Sequence, residues 1–369
     1  MSNIVREDIA SIAERIKKDA RQLEGKTVLI SGGAGFLGKY IVGTLCHLND
    51  TVLKKPCKII SVDNFITGSK HPDFDYSGRD DVLEVWGDIT HPLPIREDVH
   101  FIIHAAGIAS PVYYKKYPLE TIESAIAGVK NLLELARKNT DFRSFLFFSS
   151  SEVYGEPHDD AIPTPETYHG NVSSTGPRAC YDESKRMAES ITSIYHEHFG
   201  IPTKIVRPFN VFGPGMSHID RRVSPMFALQ VLHGEAIPVH GDGHQTRTFT
   251  YITDAVTGFL QALFRGRAGE VYNIGYDKNE ISMKDLAALF VKIAGGKARY
   301  ELIPYPKNYP AGEPQRRCPD ITKARTHLGF APVVSLEEGV KRFLQWCRTD
   351  AAYSEGVKVP RKKKGRVRT

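Results

Sequence analysis

Hydrophobic positions along the chain follow two different periods. Val5, Ile9, Ile12, Ile16, Ala20 and Leu23 recur at spacings of three and four, which places them on one face of an amphipathic helix over about residues 4–24, ended by Gly25. Packing across the body or against a partner subunit would each bury that stripe. Short apolar runs then take over. Lys26 to Ser31 reads as a buried parallel strand, residues 57–62 as a second ending at Asp63, and Leu83 to Trp86 as a third ending near Asp88. Val99 to Ala105 and Phe142 to Phe148 give a fourth and a fifth, and Thr203 to Val206 begins a sixth. Helical patterns lie between them, through about Leu48, from Leu119 to Lys138, and from the Tyr181 region to about His198. Strand and helix in alternation predict an α/β fold built on a doubly wound parallel sheet.

After about Phe209 the pattern loosens into prolines, glycines and short elements. A helix is predicted near 224–233, short strands near 237 and 271, a helix from Ser282 to Ala294 with Ser282 as its N-cap, and a last helix over about 335–348. The expected organisation is an added helix at 1–25, a nucleotide-binding domain at 26–209, and a smaller substrate lobe at 210–350 whose segments interleave with it. Residues 351–369 form a basic tail expected to be disordered. Lys358, Arg361, Lys362, Lys363, Lys364, Arg366 and Arg368 face only Glu355 there, which accounts for the whole net charge of +6. The body is therefore near neutral and carries no electrostatic footprint for nucleic acid.

Hydrophobic content of 41% and charged content of 25% over 369 residues are those of a soluble globular chain. No apolar run approaches the roughly eighteen residues that span a bilayer, and the polar N-terminus argues against a signal peptide. Five scattered cysteines without a C-x-x-C pair predict neither a metal site nor disulfides, and point to a reducing cytoplasm.

The first strand runs directly into Gly32-Gly33-Ala34-Gly35-Phe36-Leu37-Gly38, which satisfies both G-x-G-x-x-G and G-x-x-G-x-x-G. Such a turn lets backbone N–H groups approach a pyrophosphate at the positive end of the next helix. With a strand before it, a helix after it and an acidic residue ending the next strand, the context is that of a Rossmann-type dinucleotide site. Asp63 is expected to accept from the adenosine ribose hydroxyls and to repel a 2′-phosphate, which favours NAD over NADP. Asp63 comes later than the usual spacing of about twenty residues, and a longer loop over Asn49 to Pro56 would account for the delay.

Tyr181 and Lys185 stand four residues apart, one turn along the same helix face. The ammonium there would lower the phenol pKa from its ordinary value near 10, making the phenolate a general base for a hydroxyl. An exposed tyrosine beside a surface lysine gives the same pattern. The fifth strand delivers Ser150, Ser151 and Glu152 to the carboxyl edge of the sheet, where open α/β folds bind ligands.

With these residues in hand the chain resembles the extended short-chain dehydrogenase/reductases over about residues 26–348, and among them the UDP-glucuronate decarboxylases. The resemblance rests on Val62 to Gly68, Ala109 to Tyr114, Ser150 to Pro157, Gly176 to Arg186, Gln245 to Asp254 and Glu313 to Ile321. It implies an NAD-dependent carboxy-lyase acting on a UDP-sugar through a 4-keto intermediate. Tyr181, Lys185, Ser150, Ser151, Glu152 and Arg317 would be catalytic, with Glu152 and Arg317 flanking the sugar carboxylate. Gly32, Gly35, Phe36, Leu37, Gly38, Asp63, Asn64, Phe65, Gly68, Asp88, Ile89, Ala105 and Ala106 would join the Tyr–Lys pair around NAD. Tyr113, Asn210, Arg222 and Arg247 would hold the substrate together with Ser151, Glu152 and Arg317. A homodimer pairing the 119–138 helix with the Tyr181 helix is also implied.

Some positions depart from that pattern. Gly215 stands where the decarboxylases usually carry arginine, Ser184 where they often have glycine, and Gly107-Ile108 replaces Ser-Pro. A 4,6-dehydratase normally has an aspartate where this chain has Ser151, and a 4-epimerase has no need of the Glu152/Arg317 pair. A decarboxylase that stops at the 4-keto pentose remains an alternative, as does an inactive scaffold working through a polyanion-binding tail.

Overall fold

The computed structural model describes residues 1–278, 280–296, 298–305 and 315–354. Its centre is a sheet of seven parallel strands, β1 (Thr27–Ser31), β2 (Lys58–Asp63), β3 (Val82–Trp86), β4 (Phe101–His104), β5 (Ser144–Phe148), β6 (Thr203–Pro208) and β7 (Glu270–Ile274). They lie in the order β7-β6-β5-β4-β1-β2-β3. The order reverses between β1 and β4, so a crevice opens above their carboxyl ends, where such sheets bind ligands. Strands β1, β4 and β5 are buried throughout, which explains their unbroken apolar sequences.

Helices cover both faces. On one side α3 (Pro118–Arg137) packs beside α4 (Ala179–Phe199), and Leu29, Ile60, Ile102, Leu133 and Phe145 form the core beneath them. On the other lie α2 (Phe36–Thr51) and α6 (Ile252–Arg265), over Val28, Ile30, Ile59 and Ile103. Alternate residues of β1 thus enter opposite cores, as a pleated strand requires.

The N-terminal helix α1 (Asn3–Ala20) lies across α6 and α2 of its own body. Val5, Ile9, Ile12, Ile16, Ala20 and Leu23 are all buried there, each large aliphatic contributing about 1.5–3 kcal/mol. Asp8 anchors it. Its carboxylate accepts from Tyr251 Oη at 2.7 Å, Tyr40 Oη at 3.3 Å and Arg342 Nη2 at 2.8 Å. Burial pushes the Asp8 pKa up to about 6, against the pull of Arg342 and the two tyrosines. Arg342 belongs to α8 (Leu336–Thr349), so one buried carboxylate joins the first helix to the last long one.

Two expectations need amendment. The delay before Asp63 comes partly from α2 itself, which continues to Thr51. Asn49 lies inside that helix, its Nδ2 donating to Cys57 O at 2.8 Å and its Oδ1 accepting from Cys57 N at 2.9 Å, which latches the start of β2. The strand near 271 is β7 of the main sheet, paired with β6.

Further elements follow β6 in the chain and pack beyond the main sheet. Helices α5 (Val223–Leu232), α7 (Met283–Ala294) and α8 pack together beside a parallel pair, Ile237–His240 with Tyr300–Ile303. Ser282 caps α7 as expected, its Oγ accepting from Asp285 N at 3.1 Å. A three-stranded patch pairs Thr246–Arg247 with Ile281–Ser282 and with Arg316–Arg317. The segment from 351 starts as a helical turn in which Tyr353 is buried, its hydroxyl donating to Met216 O at 3.1 Å. The basic residues beyond it lie outside the described residues, as do Glu313 and Pro314.

Candidate active site

The glycine turn is shaped by steric need. Gly32 has φ +80°, and a Cβ there would stand 2.6 Å from Ala106 N; one on Gly38 would stand 2.0 Å from Gly32 O. Only glycines fit. Above the turn a cleft is lined by Gly32, Gly35, Asp63, Asn64, Asp88, Ile89, Ala105 and Ala106. Asp63 ends β2 with Oδ2 accepting from Ala34 N at 3.0 Å and Oδ1 from Phe65 N at 2.8 Å. Burial raises its pKa, and those two N–H groups and Lys39 pull against the rise. Gly68 is kept small by contact, since a Cβ would come 2.8 Å from Asp63 Oδ1. Phe36 and Leu37 turn their side chains onto the core, while Phe65 lines a neighbouring cavity.

At the carboxyl end of β5 the chain enters a tight turn, Ser151–Tyr154, capped by Ser150, whose Oγ accepts from Glu152 N at 3.3 Å. This turn holds Glu152 against two guanidiniums. Arg317 grips it through both terminal nitrogens, Nη2 to Oε2 at 3.0 Å and Nη1 to Oε1, and Arg178 Nη2 donates to Oε2 from the other side. Burial works to raise the Glu152 pKa, but Arg317 and Arg178 overcome it and hold the carboxyl down at about 2. Arg317 is 3% exposed, and its Nε has no hydrogen-bond partner among the described residues.

Tyr181 and Lys185 are both buried in the first turns of α4. The ring of Tyr181 stacks on Tyr114, with centroids 5.6 Å apart and planes 14° from parallel, and Tyr113 packs in the same small cluster. Here the structure departs from expectation. Burial pushes the Tyr181 phenol up to about 12, and the group that opposes it most is the Ser150 hydroxyl hydrogen-bonded to it. The Lys185 ammonium instead donates to Phe148 O at 2.8 Å and lies 5.0 Å above the Phe147 ring, with burial lowering its own pKa to about 8. Of the two serines, Ser150 meets the phenol, while Ser151 is buried in the turn.

The remaining residues come from the segments after β6. Arg247 sits opposite Arg317 in the strand register, buried, with Nη1 donating to Thr246 O at 2.8 Å, and its charge reaches Glu152. Arg222 is braced on Asp220 at 2.6 Å and contributes positive charge towards Tyr181. Asn210 has φ +37° and donates to Thr248 O at 2.8 Å. Two site residues escaped the sequence reading. Arg178 and Asp182 lie one turn apart at the start of α4, linked at 3.4 Å. Burial raises Asp182 to about 6, with Arg178 opposing. The G-P-R-A-C-Y-D stretch carried both, but nothing in their spacing revealed that Arg178 would reach Glu152.

The cleft over the glycine turn and the buried Tyr–Lys pair lie along the carboxyl edge of one sheet, the arrangement of a dinucleotide-dependent enzyme. The chain belongs to the NAD dependent epimerase/dehydratase family, whose model matches residues 28–275. Its cofactor is NAD. The chain is 35% identical to UDP-glucuronic acid decarboxylase 1 of Xenopus tropicalis over 387 residues, spanning 100% of this chain and 87% of that one. It is 39% identical to UDP-glucuronic acid decarboxylase 5 of Arabidopsis thaliana over 313 residues, 85% and 86% of the two chains. Among solved structures it resembles the UDP-glucose 4-epimerase of Thermotoga maritima with UDP-glucose (TM-score 0.75, 27% identity, 88% of this chain and 99% of that one). It also resembles a dTDP-glucose 4,6-dehydratase of Streptomyces venezuelae crystallised with NAD (TM-score 0.77, 25% identity, 89% and 99%).

Proposed function

We propose that the protein decarboxylates UDP-glucuronate to UDP-xylose through a UDP-4-keto intermediate. The observation that carries this reading is Glu152, half-buried and ionised between Arg317 and Arg178 on the same sheet edge as Tyr181. A sugar carboxylate calls for a guanidinium; both terminal nitrogens of Arg317 are on Glu152 here, so its Nε, without a partner among the described residues, is the donor left for it. NAD supplies the acceptor, and later the donor, of hydride at C4.

Tyr181 takes the proton of the 4-hydroxyl. Its phenol is protonated at rest, so its own proton needs an exit, and the Ser150 hydroxyl that touches it is placed to provide one. Lys185, fixed by Phe148 O, orients the nicotinamide ribose. Arg317, with Glu152 beside it, holds the sugar carboxylate while the C5–C6 bond breaks. That electron pair moves towards the C4 ketone, carbon dioxide leaves, and a proton returns to C5. Ser151 stands where dehydration would need a carboxylic acid, which favours decarboxylation over loss of water.

Residues 26–209 carry the cofactor and the Tyr–Lys pair in this reading. Residues 210–350 mainly hold the UDP group, through Asn210, Arg222 and Arg247. The same proposal includes a homodimer formed across α3 and α4, where Leu119, Met187, Ile194 and Phe199 stay exposed. It also includes a cytoplasmic setting, in keeping with five unpaired cysteines. Incubation with UDP-glucuronate, with and without added NAD⁺, followed by mass spectrometry, tests the reading. A UDP-pentose is expected. An unchanged donor overturns the assignment, and a UDP-4-keto-pentose would show that the cycle stops before hydride returns.

A further inference from the structure

Lys39 sits in the first turn of α2, immediately after the last glycine of the cofactor turn. It is 7% exposed. Its ammonium lies 3.4 Å from Ser69 Oγ and 6.0 Å from the Phe74 ring centroid, and among the described residues no carboxylate pairs with it. Burial lowers its pKa to about 8, with the charge of Asp63 resisting the fall. A desolvated ammonium without an anion beside it is costly, and the proposed catalytic cycle does not use it.

Lys39 lines a cavity together with Gly33, Ala34, Asp63, Phe65, Ser69 and Lys70. Asp63 lines both this cavity and the cofactor cleft, so it forms the wall between them. A ribose held by Asp63 would therefore stand beside this cavity. Two cations, Lys39 and Lys70, face two carboxylates there, Asp63 and Glu84, with Lys70 and Glu84 3.5 Å apart at the rim. Both Asp63 oxygens already accept backbone N–H groups. Lys39 is then a buried cation that feels the charge of Asp63 without forming an ion pair among the described residues, beside a hydroxyl and on the wall of that cavity.

We infer that this cavity admits a phosphate monoester on the 2′ oxygen of the adenosine ribose, so that the chain binds NADP as well as NAD, with Lys39 the residue that accepts the phosphate. Asp63 still repels that phosphate. Lys39 offsets the repulsion, so the outcome is tolerance of both cofactors.

The probes are adenosine 2′,5′-bisphosphate and 5′-AMP, titrated calorimetrically into the full chain at low salt and near neutral pH. The unaltered protein is expected to bind the two within about ten-fold of each other. Lys39→Met should weaken the bisphosphate by about ten-fold or more while 5′-AMP changes little, and Lys39→Arg, which keeps the charge, should retain the bisphosphate. A bisphosphate bound more than about ten-fold weaker than 5′-AMP by the unaltered protein overturns the inference. Equal loss of both probes in Lys39→Met also overturns it, since Lys39 would then serve only as the counter-ion of Asp63. Neither readout depends on turnover of a sugar, so failure here leaves the decarboxylase reading untouched.

Discussion

Arg317 and Glu152, far apart in the chain, meet as a two-point fork with Nη2 3.0 Å from Oε2. Because Arg178 also holds Glu152, the carboxylate keeps a partner when Arg317 is removed. Arg317→Ala should therefore stay folded, with a stability loss of about 1–3 kcal/mol, while carbon dioxide release from UDP-glucuronate falls by two orders of magnitude or more. Thermal melting and a carbon dioxide assay separate the two effects. Normal decarboxylation by this variant would remove Arg317 from the mechanism.

Arg178 has a different signature. It touches Glu152 and Asp182, so Arg178→Met should disturb the aim of Glu152 while Arg317 keeps its fork. The expected result is a fall in kcat of about 10–100-fold with a smaller change in KM, measured on UDP-glucuronate. A rise in KM alone would mean that Arg178 binds the sugar directly.

Tyr181→Phe removes the phenol hydroxyl and keeps the ring stacked on Tyr114. NAD affinity should be unchanged, and turnover should drop about 10²–10⁴-fold, the range of general acid–base catalysis. Calorimetric titration with NAD and single-turnover kinetics check both halves.

Stability should depend on pH through Asp8 and Asp182, both pushed up to about 6. A carboxyl whose pKa is higher folded than unfolded binds its proton more tightly in the folded state. Stability is then lost as pH rises from the unfolded value near 4 to about 6. Glu152 acts in the opposite sense and lower down, its contribution being lost as pH falls from about 4.5 to about 2. Asp8→Asn should flatten part of the slope between about pH 4 and 6, by about 1–3 kcal/mol. Urea melts across that window provide the measurement, and an unaltered slope would exclude Asp8 as its source.

Met187 and Ile194 lie on the outer face of α4, exposed. If α3 and α4 pair two subunits, Met187→Glu combined with Ile194→Lys should convert the dimer to a monomer in sedimentation experiments. A native chain that sediments as a monomer would discard the proposed pairing.

The sheet and the glycine turn were legible because buried parallel strands are continuous apolar runs, and because steric need confines Gly32 and Gly38 to one residue type. The stripe of α1 showed that the helix was buried but not against what, since its partners, α6 and Arg342, come hundreds of residues later. The balance at Tyr181 was illegible for a different reason. Spacing put Lys185 on the same face, but desolvation and the competing Phe148 carbonyl depend on packing that no local pattern encodes. Gly215 makes the point in reverse. It stood out as a glycine where the family usually carries arginine, yet its φ of +87° and the Phe74 ring 3.0 Å from a would-be Cβ give it a backbone reason to be glycine.

The position of β7 governs the order in which the molecule can form. Its partner β6 ends at Pro208, and the matching edge arrives only with Glu270–Ile274, after the segments between them have been made. During synthesis the growing chain would carry β6 as an open edge throughout that interval, and α1 would wait for both α6 and Arg342. Edges left unpaired invite association with other chains. In that order of emergence, the β6 edge is left without its neighbour until Glu270–Ile274 are available.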